Sequence, residues 1–179
     1  EDKAVIDELY KASQAGVPIR LIVRGICCLR PKRANLSENI TVRSLVGDFL
    51  EHTRIFYFHN NGDPRVYGGS ADIMVRSFER RIESLFLLVN RRVKQQAIYI
   101  LTENLRDNVN AYELNEDGTY DKCAAEGDEP YNTHKRFFTT TEADVMQAHL
   151  FGPAPAKPAD ELIAEAEYEE GAERAIADL

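Results

Sequence analysis

The stretch His52-Thr53-Arg54-Ile55-Phe56-Tyr57-Phe58-His59, followed by the cluster Asn60-Asn61-Gly62-Asp63-Pro64 and then by Arg65-Val66-Tyr67-Gly68-Gly69-Ser70-Ala71-Asp72, decides the reading of this chain. The cluster is built of turn residues, and the runs on either side are apolar and β-favouring. A hairpin is therefore predicted, with strands over 54–58 and 65–69. Side chains alternate along an extended segment, so His52 and Arg54 share one face while Thr53 and Ile55 take the other. That face would hold an imidazole that titrates near neutral pH beside a planar guanidinium able to grip two phosphate oxygens. Histidine can also trade a proton or accept a phosphoryl group, so the pair outlines phosphoryl chemistry. A solvated strand edge would look the same from these two residues alone. The cations Arg76, Arg80 and Arg81 that follow add weight to the phosphate reading.

Outward from the hairpin, the grammar is that of an α/β protein. Apolar positions Val5, Ile6, Leu9 and Ala12 repeat at helical spacing, and the helix they mark should stop at Gly16, with Pro18 forbidding its continuation. Ile19 to Val23 reads as a strand that delivers Arg24 at its C-terminal end, where such folds place ligand-binding groups. Gly25 to Pro31 forms an apolar turn, and Ile40 to Val46 a second strand. Gly47 to Glu51 is expected to be a short helix leading into His52. Beyond the hairpin come a polar, helical link over Ser70 to Arg80, a central strand over Ile82 to Val89 and an amphipathic helix over Asn90 to Asn108. A second hairpin is expected around Asp117-Gly118, with strands over Val109 to Leu114 and Thr119 to Cys123. Glu142 to Leu150 should form a last helix capped at or near Thr141.

With 179 residues and 44% apolar composition, the chain can bury one sizeable core. Its net charge of -8 argues against a general nucleic-acid binder. The charge is uneven, however. Cations outnumber carboxylates between residues 20 and 94, and the acid gathers at the C-terminal end. A positive cleft in an acidic protein focuses a polyanion while the protein stays soluble, although scattered solvated arginines would give the same count. The three cysteines, two of them adjacent at Cys27-Cys28, suit neither a disulfide framework nor a metal site. Cys27 and Cys28 read as small buried hydrophobes, and a reducing cytoplasm is the expected compartment. No apolar run is long enough to span a bilayer. Gly152 to Pro158 reads as a Pro/Ala-rich linker and Asp160 to Leu179 as an acidic tail, which sets domain bounds of 1–150 and 151–179. The chain opens without methionine directly ahead of a helix, as a piece of a longer protein would.

The pattern His52-x-Arg54, then Gly69-Ser70-x-Asp72, resembles the motif of the phospholipase D superfamily, with Arg54 in place of lysine, His59 in place of aspartate and Asp72 in place of asparagine. The longer strings are more specific. Leu21-Ile22-Val23-Arg24-Gly25-Ile26-Cys27-Cys28-Leu29-Arg30-Pro31, Phe49-Leu50-Glu51-His52-Thr53-Arg54-Ile55-Phe56-Tyr57-Phe58 and Gly69-Ser70-Ala71-Asp72 closely resemble the bacterial polyphosphate kinase family, over residues 1 to about 145. The resemblance implies a phospholipase D-like mixed sheet flanked by helices, as the second of two such units and the last domain of the enzyme. It implies reversible transfer of the ATP γ-phosphate to inorganic polyphosphate through a phosphohistidine in a preceding domain, whose motif is absent here. ATP or ADP, polyphosphate, the preceding domains and further copies of the same chain would be the partners. Nucleic acid and transmembrane segments would have no part. Magnesium would be held outside this fragment, and the compartment would be the cytoplasm, with the inner membrane face as a peripheral alternative.

By the same resemblance His52 is the second active-site histidine, acting as general acid or electrostatic partner, and Arg24 clamps nucleotide phosphate. Arg81 would be a further phosphate contact. Arg54, Arg76 and Arg80 are supporting candidates, for which carboxylate pairing inside the domain is the competing expectation. His59 is expected to be structural, and His134 and His149 to lie outside the site. Alone, the fragment should be inactive. A phosphodiesterase half-site and a non-enzymatic polyanion-binding module are the alternatives.

Overall fold

The computed structural model describes residues 2–123 and 129–150, so the predicted linker and acidic tail over 151–179 lie outside the described residues. In chain order the elements are α1 (Lys3–Gln14), β1 (Ile19–Ile22), β2 (Ile40–Leu45), β3 (Ile55–Phe58), β4 (Arg65–Gly69), α2 (Val75–Glu79), β5 (Leu85–Leu87), α3 (Arg91–Arg106), β6 (Ala111–Leu114), β7 (Tyr120–Lys122), α4 (Thr133–Phe137) and α5 (Glu142–Met146). They fall into two compact units. The first is built from described residues within 1–54, 70–84 and 103–140, the second from those within 55–69, 85–102 and 141–179.

In the first unit, α1 starts at Asp2, whose carboxylate accepts the Val5 N–H at 3.0 Å and so satisfies a donor that the helix leaves open. It ends ahead of Gly16, which takes the left-handed φ of +87° that glycine alone adopts without strain. The sheet runs β1-β2-β6-β7 and is mixed, with β1 parallel to β2 and the remaining pairs antiparallel. β2 is central, and its alternation shows why. Ile40 and Val42 are fully buried on one face, in a cluster with Leu29 and Leu114 that Ile6 and Leu9 of α1 cover. On the other face Arg43 lies opposite Glu113 of β6 and donates Nε to it at 3.2 Å. Burial pushes the Glu113 carboxyl up, but Lys32 and Arg43 together hold it below the ordinary carboxylate range. The loop before β2 is fastened by Ser37, fully buried, whose Oγ donates to Arg30 O and accepts from Arg33 N.

The second unit contains the antiparallel sheet β3-β4-β5, with Ile55 opposite Gly68 and Tyr67 opposite Leu87. Lys94 of α3 donates to the Pro64 carbonyl at 3.3 Å and ties that helix to the hairpin turn. Thr141 and Asp144 form a reciprocal capping box at the start of α5.

Several expectations need correction. The hairpin belongs to its own sheet rather than to one shared with β1 and β2. The central strand expected over 82–89 is the three-residue edge strand β5, whose Leu85, Phe86 and Leu87 are 60%, 55% and 42% exposed. A continuous apolar run carries no period, so it cannot report whether it is central. Residues 47–51 are irregular, with bends over 47–49, rather than a helix, and α5 ends at Met146. Cys28 is exposed, while Cys27 and Cys123 are partly buried, and burial raises both thiols. Among the described residues no helix is long and apolar enough to cross a membrane.

Candidate functional site

Arg24 leaves the end of β1, held by the Val23 N–H donated to Arg43 O at 2.8 Å. Its Nη1 reaches the segment 47–54, where it donates to Glu51 O at 2.9 Å and to His52 Nδ1 at 3.0 Å. Arginine has donors only, so Nδ1 must be the accepting nitrogen and the ring proton is assigned to Nε2. Both side chains are exposed. Among the described residues nothing engages the Nε and Nη2 edge of Arg24 or the Nε2–H of His52. Two groups suited to phosphate oxygens are thus fixed to one another and open to a ligand.

Arg54 is placed differently from the expectation. β3 begins at Ile55, so His52 and Arg54 lie ahead of the strand and do not share a strand face. Arg54 donates Nε and Nη2 to Asp72 Oδ1 at 3.0 and 2.8 Å, and Nη1 to the His52 carbonyl at 2.6 Å. All three nitrogens are committed, and the side chain bonds the backbone of His52. Arg76 approaches the second Asp72 oxygen at 3.5 Å. Arg81 is exposed and 3.9 Å from Glu83, and Arg80 is exposed at the end of α2. Among the described residues no contact joins Arg80 or Arg81 to Arg24 or His52. His59 and His149 are exposed.

The Arg54 guanidinium holds the Asp72 carboxyl below the ordinary carboxylate range, chiefly through its hydrogen bonds. A carboxyl with a lowered folded value stabilises the protein above its unfolded value, and that contribution disappears as pH falls through the folded value. Asp72→Asn should therefore lower the unfolding temperature at pH 7 by about 2–4 °C, as expected of a partly exposed pair in a domain of this size. The difference should narrow as pH falls below the ordinary carboxylate range and through the lowered folded value. Thermal unfolding followed by circular dichroism across an acid titration checks this, and equal stabilities at pH 7 would contradict it.

Two residues that the sequence did not mark for a role stand directly beside the site, Glu51 and His134. His134, 3% exposed, lies with Nε2 2.7 Å from Glu51 Oε1, while its Nδ1 accepts the Phe49 N–H at 3.4 Å. The Phe49 ring meets the imidazole edge-on at 5.4 Å. Gly47 makes room for it, since a Cβ there would stand 2.7 Å from His134 Nδ1. The contact spans 83 positions, so periodicity could not have shown it. Glu51 could be suspected only as the neighbour of His52.

Magnesium, implied by the resemblance, finds no fit in these residues. Among the described residues no three His, Cys, Asp or Glu side chains gather to hold a metal. The carboxylates nearest the arginines are already engaged, Asp72 by Arg54 and Arg76, and Glu83 by Ser70 Oγ at 2.5 Å.

The family model of the polyphosphate kinase C-terminal domain 2 matches residues 1–134, which include every residue of the site above. The chain is 56% identical to a polyphosphate kinase of Halalkalibacterium halodurans over 119 residues, 66% of this chain and 17% of that protein. It is 46% identical to a polyphosphate kinase of Thermosynechococcus vestitus over 149 residues, 83% of this chain and 20% of the other. The crystal structure of polyphosphate kinase from Porphyromonas gingivalis superposes with a TM-score of 0.75 at 39% identity, covering 80% of this chain and 22% of that one. The chain thus spans about a fifth of the length of the curated relatives it matches.

Proposed function

The chain belongs to the polyphosphate kinase family, as its C-terminal domain 2 with a phospholipase D-like mixed α/β fold, and from that premise we propose that it supplies the phosphate-holding half of the kinase site. The reaction would be reversible transfer of the ATP γ-phosphate to the end of inorganic polyphosphate. In the first step a histidine of a preceding domain attacks the γ-phosphorus, an N–P bond forms, and ADP departs with the bridging oxygen. In the second a terminal polyphosphate oxygen takes the phosphoryl group and frees that histidine. Magnesium, for which the described residues offer no ligand set, we assign to groups outside this chain. A cytoplasmic, homo-oligomeric enzyme belongs to the same proposal.

The observation that carries this proposal is the Arg24 Nη1 to His52 Nδ1 bond at 3.0 Å. It leaves the paired Nε and Nη2 donors of Arg24 for a phosphate fork and points the Nε2–H of His52 outward as a neutral donor. Of the two roles considered for His52, this tautomer supports the electrostatic one. Giving up the last proton of a neutral imidazole is unfavourable, whereas donating a hydrogen bond to a phosphoryl oxygen that gathers charge is not. Phosphoryl transfer calls for positioning and neutralisation, and this chain's residues can provide both.

The isolated 179-residue chain should form no ATP from ADP and polyphosphate, while a full-length enzyme carrying it should. A luminescent ATP assay on both decides the matter, and ATP formed by the isolated chain would overturn the proposal. Release of a chromophore from a phosphodiester would instead favour hydrolysis.

A further inference from the structure

We infer that Glu51 and His134 form a positioning pair that presets the Arg24–His52 geometry, an inference that rests on the functional proposal above. The segment 47–51 has no helix or strand bonds of its own, yet it must deliver His52 in one orientation. Its anchorage is a continuous network. Asp107, fully buried, accepts Val109 N at 2.9 Å, Asn110 N at 2.5 Å and Thr133 N at 2.8 Å, which seats the start of α4. Asn110 O in turn accepts Val46 N at 2.9 Å, fastening the entrance to the segment. From α4, His134 reaches back to Phe49 N through Nδ1 and to the Glu51 carboxylate through Nε2.

Because Nδ1 faces an N–H, the His134 proton is assigned to Nε2, where it points at the carboxylate. Glu51 is therefore held twice, by its carboxylate from His134 and by its carbonyl from Arg24 Nη1. The same Nη1 fixes the His52 ring. A satisfied network anchored on the buried Asp107 and His134 allows few alternatives, so it holds the backbone one residue before His52 in one orientation. An apolar residue at 134 could fill the space but would leave Phe49 N unmatched and Glu51 free to turn. The direct cost would be disorder in Arg24 and His52.

The test uses a full-length polyphosphate kinase carrying this domain, assayed for polyphosphate synthesis and selectively 15N-labelled at histidine. Glu51→Ala and His134→Ala should each lower kcat about tenfold, as expected for a small misplacement of a reacting group, with KM for polyphosphate nearly unchanged. Glu51→Gln should retain most turnover, since its amide oxygen still accepts the His134 proton. Adding Glu51→Ala to His52→Ala should cost nothing further. In the nitrogen spectrum His52 should change from a single Nε2–H tautomer to a mixture in Glu51→Ala. Glu51 is only partly buried and so carries the test even if His134→Ala does not fold. An unchanged His52 tautomer, or a loss on top of His52→Ala, would overturn the inference. Full turnover in His52→Ala would instead overturn the functional proposal, and the tautomer readout would still judge the positioning pair.

Discussion

His52→Ala, placed in a full-length polyphosphate kinase that carries this chain, should lower kcat by about a hundred- to a thousandfold, the usual cost of removing one preorganised donor from a charge-developing site. The fold should not notice. Among the described residues the exposed side chain bonds only to Arg24, so the unfolding temperature should stay close to that of the parent. His52→Gln should recover part of the loss, because a side-chain amide N–H can stand near the position of Nε2–H, whereas Ala offers nothing. Steady-state kinetics in the synthetic direction, with thermal unfolding of each variant, provide the check. Full turnover in His52→Ala would remove this histidine from the reaction.

The same variant separates catalysis from simple binding. A polyanion-binding module needs only its basic face, so its polyphosphate affinity would survive His52→Ala and would fall steeply with salt. An enzyme that loses turnover while keeping that affinity has lost a group acting on the transferred phosphoryl. Arg54 would not serve as such a probe. Its guanidinium is tied to Asp72 and to the His52 carbonyl, so Arg54→Ala would disturb the fold and the site together.

What could be read from the sequence follows from the range of the forces involved. α1, its stop at Gly16 and the Gly118 turn are local matters of periodicity and permitted φ, and they appear where expected. Arg24 at a strand end and His52 in its Phe49–Phe58 string could be named, but their mutual bond could not, because it joins positions 28 apart. The segment 47–51 reads as helical because its local composition permits a helix. A buried His134 and a glycine with no room for a Cβ impose bends there instead. Exposure was hidden for the same reason at β5, where Leu85-Phe86-Leu87 has the composition of a core strand and the position of an edge.

Arg24 shows how far geometry counts beyond charge. Arg24→Lys preserves the positive charge but replaces a planar fork by a single ammonium that cannot hold Glu51 O and His52 Nδ1 while presenting two parallel donors to a phosphate. Losing one or two charge-assisted hydrogen bonds should lower kcat/KM for ATP by about ten- to a hundredfold. Arg24→Ala, which also removes the charge, should lose more. The part that separates Lys from Ala is Coulombic and should shrink as ionic strength rises, while the part that separates Arg from Lys is directional and should not. Titrating salt across the three proteins therefore resolves the two contributions. If Arg24→Lys matches the parent at every salt concentration, the fork has no role, and the bond that orients His52 would have to be unnecessary as well.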